Sequence, residues 1–167
     1  NVGAWAREMK DEILGVTGAA SGVGRALCRR FAQGAARAIV CVDRDAAGAQ
    51  ATADMVNGHA FTVDVSSEGQ IALLIAEVEN GIGPIDLFCS NAGILIEGGA
   101  EVPDHDWQRI WNINVMAHVW AARHLVPLLS ARGGGYLLNT ASAAGLLNQI
   151  CSPPSGVTQT AAVGPVS

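Results

Sequence analysis

An α/β fold built on a doubly wound parallel sheet is predicted by three features of this 167-residue sequence. Apolar runs of strand length alternate with segments of helical periodicity, the pattern of strands joined by crossover helices. A glycine-rich turn, Thr17-Gly18-Ala19-Ala20-Ser21-Gly22-Val23-Gly24, lies between the first apolar run and the first amphipathic helix. Half of the residues are hydrophobic, enough for one domain with its own core, and no linker or repeat divides the span 1–167.

The elements follow in order. Residues 12–17 read as a buried strand, and Val23, Leu27 and Phe31 recur at helical spacing through 22–34. The run Ala38-Ile39-Val40-Cys41-Val42 gives a second strand, 37–43, that ends in Asp43. A helix over 45–56 and a strand over 59–63 come next. The helix over 67–80 has the clearest grammar: Ser67 with Gln70 forms a capping box, Ile71, Leu74, Ile75 and Val78 make the apolar stripe, and Asn80-Gly81 ends it. After a strand at 85–90, one long helix is expected over 104–131. Asp104 is its N-cap, and Trp107, Ile110, Trp111 and Val115 point inward. A fifth strand at 135–141 and a sixth helix starting near 154 complete the pattern.

The glycine turn carries chemistry because of where it stands. Glycines let the backbone turn tightly and approach a ligand, while the free N–H groups and dipole at the helix start favour a pyrophosphate. Asp43, at the end of the second strand, suits the hydroxyls of an adenosine ribose, as in a dinucleotide-binding βαβ unit. Its charge opposes a 2′-phosphate and favours NAD over NADP, although neighbouring Arg44 offers such a phosphate some compensation.

The spacing T-G-x-x-x-G-x-G resembles that of the short-chain dehydrogenase/reductase family, classical type. Further landmarks come in that family's order: Asp64-Val65 after the third strand, Asn91-Ala92-Gly93 after the fourth, Asn114 in the long helix and Ser142 after the fifth strand. The resemblance runs from about Lys10 through nearly the whole chain. It implies a Rossmann-type sheet and a NAD(P)-dependent oxidoreductase that moves a hydride between a nicotinamide cofactor and an alcohol or ketone. It assigns Gly18, Gly22 and Gly24 to the phosphate loop, with Ser21 and Val23 contributing backbone N–H groups, and places Asp64 and Val65 beside the adenine. Asn91, Ala92 and Gly93 fall next to the cofactor, and Asn114 and Ser142 match two members of the catalytic tetrad.

The other two members are missing. The family's tyrosine and lysine positions hold Ser155 and Gln159, and the sequence contains one tyrosine, Tyr136, and one lysine, Lys10. No Tyr-x-x-x-Lys pair exists in it. Tyr136 precedes Ser142 by six residues on one strand, roughly 20 Å at about 3.3 Å per residue, so it cannot substitute. Ser155 lacks a neighbouring base to ionise it. An inactive or nearly inactive enzyme is therefore expected, with a non-catalytic nucleotide-binding or regulatory subunit, or a non-functional fragment, as alternatives. The resemblance further implies that the sheet is incomplete at its C-terminal edge and lacks the substrate-covering part, leaving the fifth strand as an exposed apolar edge. Leu95, Ile96 and Leu147 are candidates for an apolar substrate cavity, and Pro165 for a kink or end of the last helix. Association between copies is expected through helix 104–131.

A net charge of −5 offers no basic field for nucleic acid or anionic lipid, and Arg25, Arg29 and Arg30 read as a solvated helix face. His118, Arg123 and His124 interrupt the most hydrophobic helix, so no membrane span is expected. Cys28, Cys41, Cys89 and Cys151 show no metal-ligand spacing and read as buried thiols; no metal is expected. A start at Asn1 without a signal-peptide pattern implies a processed or incomplete N-terminus and, by default, the cytoplasm.

Overall fold

The computed structural model describes residues 9–143 and 152–163, so Leu147, Cys151 and Pro165 lie outside the described residues. The chain runs β1 (Ile13–Thr17), α1 (Gly22–Gln33), β2 (Ala38–Asp43), α2 (Ala46–Val56), β3 (His59–Thr62), α3 (Glu68–Gly81), β4 (Leu87–Ser90), α4 (Asp104–Trp111), a π-helical turn (Asn112–Met116), α5 (Ala117–Ala131), β5 (Tyr136–Asn139) and α6 (Pro153–Val163). The five strands form one sheet in the order β3-β2-β1-β4-β5, and all four pairings are parallel. The chain winds outward from β1 to β3, then crosses back to β4 and winds the other way. That reversal opens a crevice at the carboxyl ends of β1 and β4, where ligands bind in open α/β sheets.

Burial on both faces follows from period-two alternation along each central strand. Ile13, Val40, Val42 and Phe88 join Ile71, Leu74 and Ile75 of α3 and Leu125 of α5 in one apolar layer. Leu14, Val16, Ile39, Cys41, Leu87 and Cys89 face the other way, onto Cys28 and Phe31 of α1 and Ala53 of α2. Gly15 gives the Phe88 ring its place, because a Cβ there would lie 2.6 Å from the ring. Cys28 and Cys41 bring their sulfurs to 3.6 Å, far beyond a disulfide bond of about 2.05 Å. At the sheet's far edge Tyr136 and Leu138 of β5 are about half exposed, matching the apolar edge expected there.

Four local expectations are corrected. Asp104 is the first residue of α4, and Pro103 holds the cap position without a side-chain bond; Asp104 and Asp106 instead place their charges in the first turn, where the helix dipole favours them. Residues 104–131 are helical throughout, as expected, but the run contains the π-helical turn. Its wider winding shifts the phase of the side chains, so one 3.6-residue stripe cannot run through it. Ile110 and Val115 are buried as expected, but Trp107 is only half-buried and Trp111 is 37% exposed. In α3 the Ser67 hydroxyl accepts from the Gln70 N–H at 3.5 Å, yet the Gln70 carboxamide turns back to the Asp64 N–H instead, so the capping box is half formed. Arg25 does not belong to a solvated face: its Nε donates to Thr52 Oγ1 at 3.0 Å and its other end to the Ala20 carbonyl. The packing of α2 beside α1 gives that guanidinium its partner, which periodicity along α1 alone cannot show.

Candidate functional site

The loop after β1 is shaped by three glycines, each for a different reason. Gly18 has φ +70°, and a Cβ there would press on the Ala92 backbone at 3.0 Å. Gly24, in the first turn of α1, passes so close to the Gly18 carbonyl that a Cβ would lie 2.1 Å from its oxygen. Gly22 has φ +50° with open space where its Cβ would be. Ser21 holds the N-cap position of α1 without a side-chain cap bond, so the first N–H groups of the helix keep their donor capacity for a ligand.

Bonds to neighbouring elements hold the loop in place. The Thr52 hydroxyl donates to the Ala19 carbonyl at 2.8 Å, and Arg25 grips the Ala20 carbonyl. Asp43 Oδ2 accepts from the Ala20 N–H and Oδ1 from the Asp45 N–H, both at 3.0 Å. Across the crevice, Thr17 ties β1 to the turn after β4. Its hydroxyl accepts from the N–H groups of Asn91 and Ala92 at 2.9 and 3.0 Å. The Asn91 carboxamide donates to the Thr17 carbonyl at 3.0 Å and accepts from the Thr140 hydroxyl at 2.9 Å, thus spanning β1, β4 and the end of β5. Thr17 is the residue sequence reading passed over, although it stands at the head of the glycine motif.

These segments surround one cavity of about 480 Å³. Gly18, Ser21, Gly22, Val23 and Gly24 form one end; Asp43, Arg44, Asp64 and Val65 form a side; Asn91, Ala92 and Gly93 lie opposite. Val63, Ile94, Leu95, Ile113, Thr140 and Gln159 complete the lining. Burial pushes the Asp64 carboxyl up, but the Ser66 hydroxyl and N–H and the Arg44 and Arg109 charges outweigh it and hold the group below its ordinary value. Asp64 thus makes the Ser66 turn at the approach to α3 and also lines the cavity.

The residues at the tetrad positions separate. Ser142 and Asn114 line a smaller adjoining cavity of about 100 Å³, with Gln159 shared between the two. Gln159 Oε1 accepts from the Ser142 N–H at 3.1 Å. Asn114, buried in the π-helical turn, uses its side chain as a clamp: Oδ1 accepts from the Ile94 N–H at 2.9 Å, and Nδ2 donates to the Ile94 carbonyl at 3.0 Å and to Thr158 Oγ1 at 3.2 Å. Ser155 is 1% exposed and lines neither cavity. Its hydroxyl accepts from the Ile96 N–H at 3.4 Å and pairs with Ser152 Oγ at 2.7 Å. Ile96 is likewise engaged by Ser152 and lines neither cavity, leaving Leu95 as the described member of the predicted apolar set that does. Among the described residues no group of three or more His, Cys, Asp or Glu side chains converges as a metal would require, and no helix is long and apolar enough to cross a membrane.

Comparison with known proteins agrees with this architecture. The family model described as short chain dehydrogenase matches residues 12–163. An uncharacterized oxidoreductase, YvrD, of Bacillus subtilis (strain 168) is 31% identical over 93% of this chain and 60% of its own length. A CLA biosynthesis dehydrogenase/reductase of Lactiplantibacillus plantarum is 30% identical over 95% of this chain and 57% of its own. Among solved structures, a short chain dehydrogenase/reductase from Burkholderia phymatum in complex with NAD superimposes with a TM-score of 0.87 at 28% identity, over 95% of this chain and 58% of that one. The chain therefore spans about 60% of the length of such relatives. With a parallel five-stranded sheet, a glycine loop at its switch point and this match over most of its residues, the chain belongs to the short-chain dehydrogenase/reductase family of oxidoreductases.

Proposed function

We propose that this chain binds a nicotinamide adenine dinucleotide, NAD in preference to NADP, in the 480 Å³ cavity, and that by itself it turns over an alcohol or ketone slowly or not at all. The observation that carries the binding reading is the convergence of the glycine loop, Asp43 and the Asn91-Ala92-Gly93 turn on one cavity, beside a helix start whose donors are uncapped. Asp43 is already oriented by two backbone N–H groups, which supports a role in accepting ribose hydroxyls. When bound, the cofactor supplies the hydride-transfer chemistry; the loop supplies donors for its pyrophosphate, and Gly18 and Gly24 let the backbone come close. The related structure in complex with NAD supports the same choice.

The weak-turnover reading rests on Ser155 and Gln159, which bring neither a phenol nor an ammonium to the crevice. An unperturbed phenol titrates near pH ~10, so the family's chemistry needs the cation as well as the tyrosine. A second reading, a nucleotide-binding subunit without catalysis, is favoured by the burial of Ser155 and its bonds to Ile96 and Ser152, which commit that position to packing.

Calorimetric titration of the folded protein with NADH and NADPH tests the binding reading. Saturable NADH binding at least tenfold tighter than NADPH, about 1.4 kcal/mol, is expected, with the preference lost in Asp43→Asn. A folded protein that binds neither nucleotide refutes it. Alcohol oxidation by the same preparation at an ordinary enzymatic rate, about 1 s⁻¹ or faster, would overturn the weak-turnover reading.

A further inference from the structure

The small cavity contains a group that no role above uses. His118, the second residue of α5, is 7% exposed and lines the 100 Å³ space together with Asn114, Ser142 and Gln159. Its Nδ1 lies 2.7 Å from Ser90 Oγ, while Nε2 has no hydrogen-bond partner among the described residues. The remaining lining side chains are amide, hydroxyl or apolar groups, so the imidazole is the one basic side chain among them. A nine-tenths buried ring with one engaged and one unengaged nitrogen, in a polar cavity, is arranged for a ligand.

We propose that His118 keeps its proton on Nδ1, toward Ser90, and presents the Nε2 lone pair to the hydroxyl of an alcohol bound in this cavity. The alcohol class rests on the function proposed above; the geometry of His118 does not. A cavity of about 100 Å³ admits only a small head group, a carbinol and its nearest substituents. Burial pushes the ring below its ordinary value, against a weaker opposite pull from the Asn114 backbone, which favours the neutral form that the proposal requires. Charges on the neighbouring elements are engaged elsewhere. Glu68 of α3 pairs with Arg123 and His124 of α5, Glu79 of α3 pairs with Arg132, and Asp86 before β4 accepts from the Ile13 N–H. β5 contributes Tyr136, and α6 has no charged residue. Alcohol binding therefore selects the neutral ring and weakens as pH falls through the His118 titration.

NMR of the ¹⁵N-histidine-labelled chain, titrated with 2-propanol and with acetone, tests this. Expected are an Nδ1–H tautomer, a saturable change of the His118 Nε2 signal with 2-propanol but not with acetone, and a titration midpoint lowered by about half a pH unit, a threefold preference for the neutral form. In Ser90→Ala a mixture of tautomers is expected. A proton found on Nε2, equal responses to both probes, or no response overturns the proposal. NADH binding is read separately by calorimetry, so loss of the cofactor reading leaves this outcome distinct.

Discussion

On the side of the crevice formed by the loops after β1, β2 and β3, the Asp43 and Asp64 carboxylates are oriented by backbone N–H groups, and Thr17 and Thr52 hold backbone in turn. On the side formed by the end of β5 and α6, Ser142 and Gln159 meet each other at the rim and Ser155 turns into the packing against Ile96. The first wall depends on chain path and the second on side-chain identity. The second wall keeps its fold with Ser155 and Gln159 in place, whereas the first wall cannot change its glycines without moving backbone.

The largest effect expected from breaking this contrast comes from Gly24→Ala. The added methyl would meet the Gly18 carbonyl at 2.1 Å, and backbone must move to admit it. Dinucleotide affinity is expected to fall more than about 100-fold, beyond about 2.7 kcal/mol, as read by calorimetry; an unchanged affinity would show that the loop is not the phosphate cradle. Thr17→Val is the next in size. It keeps the shape but leaves the Asn91 and Ala92 N–H groups without their acceptor, a loss of about 2–4 kcal/mol in denaturant unfolding. A change under half a kilocalorie would mean the two loops are not joined through this hydroxyl. Gln159→Ala should be the mildest, since it removes one bond to an exposed N–H on the second wall. NADH affinity within about threefold of the parent and stability within about 1 kcal/mol are expected. An effect as large as that of Gly24→Ala would erase the distinction between the walls.

What the sequence determined by itself is the alternation of strands and helices, the sheet class and the segments that line the main cavity, because each is written in local terms. Period-two and 3.6-residue patterns select the elements, and a glycine at positive φ or close approach is a local steric demand, so Gly18, Gly22, Gly24 and Asp43 were legible in one dimension. The absence of a Tyr-x-x-x-Lys pair needed only a count. Tertiary structure decided what depends on the partner. Arg25 looks like surface charge until α2 supplies Thr52, Ser155 looks like a site residue until the turn after β4 packs on it, and Trp111 looks buried until the packing of α4 leaves it 37% exposed beside the buried Ile110. His118 carries no motif, and only the folding of α5 over the end of β4 sets its ring against Ser90. The physical reason is range: steric and periodic preferences act within a few residues, whereas hydrogen bonding and burial of a polar side chain are fixed by groups tens of positions away.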